Sequence, residues 1–481
     1  MNRKIFFSFT LSCLLSAASL FAQPFPTGAV IDVDLYDSIP LKAPQLSRSY
    51  DGDPPAYSLK QFAPIPNTQK GGTCTAWASA YAARTIAESI ALNRIDRFLS
   101  TQNVFSPIFV YKSVFKLYKN NDNPSGEDGI PIGEALKFMK DEGAVRMPNF
   151  EMNLLIQQIL LSAYSSYRRY PIADFVTLYA SYRQLTQDGD SVRTKMVKKS
   201  IAEGKPVIIA IKCPQSFHDV GKNVVWRPTE NPASIDIFVK NNAHALCVVG
   251  YDDNKYGGAF EIQNSWGQNW GDGGFVWIPY TVFNQFAYEA YEMIENPSNY
   301  EKVEFSGFVR IELYNSNQGM PVRFANGYYQ TINSYPSGTE FRYLLGNNKP
   351  AYVYAFAGDS GSSITTRIFP PEGRNISPIL NYKENIIAFP GEFTWIGLDD
   401  RAGTDYLVVL YAKEALDIDR IRKSFENARG SFPAKVAAAV GSNFIPVEKA
   451  HYEASEMRFS AQSTNPKAVF GLLLAIDHRA K

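Results

Sequence analysis

The sequence predicts an α+β fold: a two-lobed domain with a helical lobe and an antiparallel β lobe, followed by a β-sandwich-like C-terminal domain. Three observations predict it. Helical patterning fills the stretch from Cys74 to about residue 163, strand-like apolar runs begin at Pro206, and short strand-like runs dominate again beyond a polar break at residues 296–302. With 481 residues the chain exceeds one ordinary core, so two globular units are expected.

Asn2, Arg3 and Lys4 form a basic start, Ile5 to Phe21 an apolar stretch and Leu20-Phe21-Ala22 a cleavage site. Residues 1–22 therefore read as an export signal, with Gln23 the first mature residue and the periplasm, cell surface or exterior the expected destination. Ser8, Thr10, Ser12, Ser16 and Ser19 interrupt the stretch, and no later segment reaches the roughly 18 apolar residues of a spanning helix. Residues 23–60, rich in proline, serine and aspartate, read as a surface-draped lead-in.

The permissive turn Gly71-Gly72 precedes an alanine-rich helix over residues 74–91, with Trp77, Tyr81, Ile86 and Ile90 on its apolar face. Further helices are expected over 106–119, 132–141 and 152–163. The runs PVIIAIK, HALCVVGY, FEIQNSW and GFVWIPY read as strands, giving a first domain over 61–297. Over 302–481, the runs FVRIELY, MPVRFANGYYQTI, AYVYAFAG, SSITTRIF, FTWIGL and DYLVVLYA read as strands, followed by helices at 417–428 and 431–440 and the final run VFGLLLAI, as in a sandwich.

A hydrophobic share of 45% with 20% charged residues argues for a folded chain. The 48 basic and 47 acidic residues leave a net charge of +1, which gives no footprint for nucleic acid or anionic lipid. Gly126-Glu127-Asp128-Gly129 lacks the ligand ladder of a calcium loop and reads as turns; no metal and no cofactor are expected. With Cys13 in the signal, Cys74, Cys213 and Cys247 remain, an odd number that leaves one thiol free. Cys213 and Cys247 either bridge or stay as two buried thiols, the commoner outcome.

The chemistry concentrates in Cys74, His244 and Asn264. A thiol attacks as thiolate, and a helix N-terminus with a nearby imidazolium lowers its pKa below the free value of about 8.5. Cys74 begins the alanine-rich helix, and His244 opens HALCVVGY. Asn264 would hold the far nitrogen of the His244 ring, with Trp266 covering that bond. The Cys74 backbone N–H and the Gln69 side-chain amide are the candidate donors to a tetrahedral oxyanion. His218, in the polar loop HDVGKN, is the alternative base.

Gln69, Gly72-Thr73-Cys74, His244 to Tyr251 and Asn264-Ser265-Trp266-Gly267 resemble the corresponding strings of the papain-like cysteine peptidases, over roughly residues 60–297. The similarity is greatest to bacterial branches that read GTC, a small pair and then an aromatic. The resemblance implies a two-lobed fold, peptide or protein substrates, and peptide-bond hydrolysis without metal or organic cofactor. By position it implies that Ala210 and Ala245 line the pocket for the substrate side chain preceding the scissile residue.

The chain departs from the family pattern in four places. Thr75 follows Cys74 and the tryptophan comes only at Trp77, whereas plant and lysosomal members place it next to the nucleophile; a register with Ala76 at the nucleophile position would make the protein inactive. Gln69 precedes Cys74 by five positions, one fewer than usual. The 170 positions from Cys74 to His244 exceed the roughly 130–150 of compact members, which calls for an insertion at about 152–193. Residues 23–60 are too short for the family's long helical inhibitory pro-segment, which argues against control by a removable pro-domain. The alternative function is a catalytically inactive relative that binds peptides or cell-surface material. A transglutaminase or amidase would favour an aspartate orienter over Asn264.

Overall fold

Gly71 adopts φ +60°, and a Cβ there would sit 2.2 Å from the Gly126 carbonyl oxygen, so only glycine makes the turn that aims the chain into its central helix. That helix runs as Cys74–Ala76, Trp77–Arg84 and Thr85–Ala91; its middle part is π-wound and buried throughout. The helices Pro107–Lys119 and Ile132–Asp141 complete the helical lobe, the first capped by the Ser106 hydroxyl, which accepts from the Phe109 N–H at 2.9 Å. In this computed structural model the described residues are 25–181, 189–296, 303–316, 318–362 and 364–481. The expected export signal, part of the expected insertion and most of the polar break lie outside them.

The helix expected over 152–163 is instead three short turns, Phe150–Asn153, Ile156–Gln158 and Leu161–Tyr164. Lys70 Nζ donates to the carbonyls of Glu151, Met152 and Leu154 at 2.7, 3.1 and 2.6 Å, acceptors a continuous helix would have used itself. Leu155 and Leu160 are more than half exposed.

The second lobe is an antiparallel sheet of β1 (Ala56–Ser58), β2 (Asp174–Thr177), β3 (Val207–Lys212), β4 (Ala243–Asp252), β5 (Ala259–Gln263), β6 (Phe275–Pro279) and β7 (Ala287–Ile294). Its order is β2-β7-β3-β4-β5-β6, with β1 also pairing β4. Both faces of β3 and β4 are covered, which explains their continuous apolar runs. The register sets Ile211 opposite His244 and Ala210 opposite Ala245.

The C-terminal unit is a sandwich of an eight-stranded and a six-stranded sheet. In strand Ala351–Asp359 the odd positions Ala351, Val353 and Ala355 fill the sandwich, while Tyr352, Tyr354 and Phe356 pack in a second cluster with the helices Ile418–Asn427 and Phe432–Val440. Val176 and Ile294 of the first unit join that second cluster, so the two units share apolar contact. His478 lies between Asp405 (2.8 Å) and Ser337 (2.9 Å), tying the last strand to its neighbours.

The lead-in is not draped on the surface. Thr27, Gly28, Ile31, Val33, Tyr36, Ile39, Lys42, Ala43 and Leu46 are all buried. Its proline and serine content suggested a loop, but the apolar side chains spaced among those residues give it faces to pack. Among the described residues no helix is long and apolar enough to cross a membrane.

Candidate active site

The central helix delivers Cys74 to the junction of the lobes, and β4 delivers His244 from the other side; both are fully buried. His244 Nε2 lies 2.8 Å from Asn264 Oδ1. That oxygen also accepts the Ser265 N–H at 2.7 Å, which fixes it as the acceptor end of the amide. Nε2 must then carry the proton, leaving Nδ1 as the basic nitrogen; Nδ1 has no hydrogen-bond partner among the described residues, so the expected contact with the Cys74 thiol is not made in this state. Trp266 stacks on the His244 ring with centroids 4.5 Å apart and an interplanar angle of 22°, covering the His244–Asn264 bond.

Gln69 is held by Ser265, whose hydroxyl donates to Gln69 Oε1 at 2.5 Å, and its Nε2 donates at 2.7 Å to Gly71 O of the nucleophile turn. The same Nε2 donates at 2.9 Å to the carbonyl oxygen of Pro26, which also accepts from Trp266 Nε1 at 2.9 Å. Residues 25–30 form a strap across the site. Phe25 stacks on Trp266 at 4.9 Å, the Thr27 hydroxyl donates to Asn241 O at 2.9 Å, and Ala29 bridges Ile130 in parallel. Gly28 is wedged against the nucleophile turn: a Cβ on it would fall 2.0 Å from Gly72 O, and a Cβ on Gly129 would fall 1.6 Å from Gly28 O. The lead-in is short, yet it reaches the sulfur, where the Gly28 backbone hydrogen-bonds to Cys74.

Burial sets the electrostatics. Burial pushes the Cys74 thiol up to about 11, outweighing the backbone hydrogen bonds from Ala245, Gly28 and Thr75 that favour the thiolate. Burial likewise pushes His244 down to about 3, against the pull of Asn264 upward and with a smaller lowering from His218. The sequence suggested an ion pair; the strapped site holds a neutral thiol and a neutral ring. The physical reason is magnitude, since a helix terminus supplies about 0.3–1 kcal/mol, less than the desolvation of a fully buried thiolate.

Ala210 and Ala245 are buried side by side, with Ala210 also opposite Glu289 on β7. His218, expected in an isolated loop, lies beside the site: its Nε2 is 3.6 Å from Cys213 Sγ, and its ring stacks on Trp266 at 4.9 Å. Cys74, Cys213 and Cys247 are all free thiols. Sequence reasoning missed Phe25, Pro26, Gly28 and Ser265. Glycine and proline followed by alternating Ile31 and Val33 were the available signal for the strap; nothing local distinguished Ser265.

Two buried carboxyls give this state a pH dependence. Burial raises Glu289 to about 8 and Glu151 to about 7, while the Tyr291 hydroxyl, and Ser106 with Tyr164, pull the other way. Unfolded carboxyls titrate near 4.3, so between that pH and the folded values the folded chain binds more protons than the unfolded one, and stability falls as pH rises. The urea midpoint is expected to drop from pH 5 to pH 8, and Glu289→Gln to flatten the slope. A midpoint that rises over this range contradicts the assignment.

Comparison with known proteins finds similarity over the first unit. The profile described as papain family cysteine protease matches residues 58–294. An uncharacterized peptidase C1-like protein of Acanthamoeba polyphaga mimivirus is 27% identical over 217 residues, covering 44% of this chain and 62% of that protein. A cysteine protease of Blomia tropicalis is 25% identical over 235 residues, covering 48% and 63%. The chain thus spans about three fifths of the length of these curated relatives. Among solved structures, xylellain, a cysteine protease from Xylella fastidiosa, is similar with a TM-score of 0.40 at 21% identity, over 56% of this chain and 95% of that one.

Proposed function

Residues 58–294 belong to the papain family of cysteine proteases, and from that premise we propose that the chain is an exported cysteine peptidase in a latent state, its export directed by residues 1–22. Cys74 is the nucleophile, His244 the base, Asn264 its orienter and Gln69 an oxyanion donor. The observation that carries this reading is Pro26: with Gly71 O accepting one Gln69 Nε2 N–H, the Pro26 carbonyl accepts the other, the donor an oxyanion would need.

With the strap gone, water re-enters, the Cys74 proton passes to His244 Nδ1, and the sulfur attacks the carbonyl carbon of a peptide bond. The carbonyl oxygen takes the negative charge and accepts from Gln69 Nε2 and the Cys74 backbone N–H. Collapse breaks the C–N bond, with the departing amine taking the proton from Nδ1 and a thioester left on Cys74. Water then attacks the thioester, giving one proton to Nδ1, and releases the acid and the thiolate. Throughout, Nε2–H stays on Asn264, which keeps the ring from turning. Ala210 and Ala245 line the pocket for the preceding substrate side chain in this reading.

The test is cleavage of an unstructured protein by a chain lacking residues 25–30, compared with the same chain carrying Cys74→Ala. Cleavage is expected from the first and a loss of roughly 10³-fold or more from the second. Equal cleavage by both rejects Cys74 as nucleophile. The complete burial of Cys74 favours a second reading, a peptide-holding protein without turnover; it predicts binding by the shortened chain and no cleavage.

A further inference from the structure

Beyond the strap, the lead-in passes into the helix Val33–Ser38, whose Tyr36 hydroxyl donates to Tyr179 O at 2.7 Å, and then into an extended root at residues 40–47. The peptidase unit holds one edge of that root: Lys42 N–H reaches Thr177 O at 2.9 Å and Thr177 N–H reaches Pro40 O at 3.1 Å. The C-terminal unit holds the other. Leu41 N–H donates to Asn375 O and Ser377 N–H to Leu41 O, both at 2.8 Å, and Leu46 N–H donates to Ile386 O at 3.0 Å. The Asn375 side-chain amide caps the helix above, donating to Asp37 O at 3.2 Å and Ser38 O at 3.0 Å. The Ser47 N–H and hydroxyl both donate to Glu392 at 2.8 Å. Beneath the root, buried Lys42 is bound at once by Glu292 of the peptidase unit and Asn381 of the C-terminal unit, with its ammonium 3.7 Å from the Tyr382 ring centre.

Ordering a free segment costs more free energy per residue than a typical hydrogen bond returns. A six-residue strap therefore closes the cleft because it is tethered at high effective concentration, and the quality of the tether sets how often it leaves. The geometry points to the C-terminal unit as the holder of the strap's root, a surface whose partner is this chain's own residues 37–47 and which governs access to Cys74 from outside the peptidase unit. This rests on the reading of Cys74 as a nucleophile covered by the strap. The root itself stays seated when the strap is lost, because its bonds to both units do not involve residues 25–30.

The experiment is the rate at which iodoacetamide alkylates Cys74 in the full chain, followed by peptide mass mapping, in the wild type, Asn375→Ala and the double variant Asn375→Ala/Glu392→Ala. The single variant is expected to react about threefold faster and the double about tenfold faster. Cys247 on β4 should stay unmodified, showing that the peptidase unit has not unfolded. In a chain lacking residues 25–30 the same substitutions should change the Cys74 rate by less than about twofold. Equal rates in all full-length chains overturn the proposal, as does acceleration matched at Cys247. Failure of the peptidase reading has a different signature: the shortened chain alkylates readily at Cys74 yet cleaves no peptide.

Discussion

Replacing Gly28 with alanine is expected to raise the alkylation rate of Cys74 in the uncut chain by about 100-fold. The new Cβ would lie 2.0 Å from Gly72 O and 2.4 Å from Gly72 C and Cα, all backbone atoms that no rotamer change moves aside. Overpacking of this kind typically costs 1–3 kcal/mol, and at about 3 kcal/mol the opening equilibrium shifts by about two powers of ten. The loss of backbone freedom in the unfolded chain works the other way by only about 0.4–1 kcal/mol, so the clash wins. Gly52, around which nothing lies within 4 Å, provides the control: Gly52→Ala should leave the rate unchanged. A Gly28→Ala chain as unreactive as the wild type would show that the strap does not gate the sulfur.

The second large effect is on the thiol itself. Removing residues 25–30 takes away the strap that helps to bury Cys74, and with it part of the desolvation that holds the group near 11. What remains is the helix start and an imidazole that rehydration lets rise from its depressed value. Both favour the thiolate, so the Cys74 midpoint is expected to fall below the free-cysteine value of about 8.5. In the same shortened chain His244→Ala should return much of that fall, since the helix terminus alone contributes less than about 1 kcal/mol. A midpoint unmoved by His244→Ala would remove the imidazole from the chemistry.

Much of the frame was legible because it is written locally. Ile132–Asp141 and Pro107–Lys119 carry apolar faces bounded by proline or a serine cap, and PVIIAIK and HALCVVGY are apolar runs bounded by turns, so periodicity and punctuation located them. Cys74, His244 and Asn264 stand in local strings that brought helix start, strand and turn with them. The segment at 152–163 was misread because its helical alternative is undone from outside, by Lys70 taking its carbonyls. The lead-in was misread for a similar reason. Gly28 and Lys42 acquire their meaning from Gly72 and Glu292, distant in sequence, and no window around either residue contains its partner. The charge state of the site was beyond sequence reasoning for the same cause: it depends on what surrounds Cys74, and Gly28 and Ala245, both distant in sequence, are among those neighbours.

The most direct measurement is the pH titration of Cys74 by the NMR shift of its labelled Cβ, in the intact chain and in the chain lacking residues 25–30, with Cys213 and Cys247 replaced by alanine in both. A midpoint near 11 in the intact chain, falling below about 8.5 once the strap is gone, is the expected result. The same midpoint in both chains, or a thiol that stays protonated above pH 9 with the cleft open, would contradict a strap-gated thiolate at Cys74.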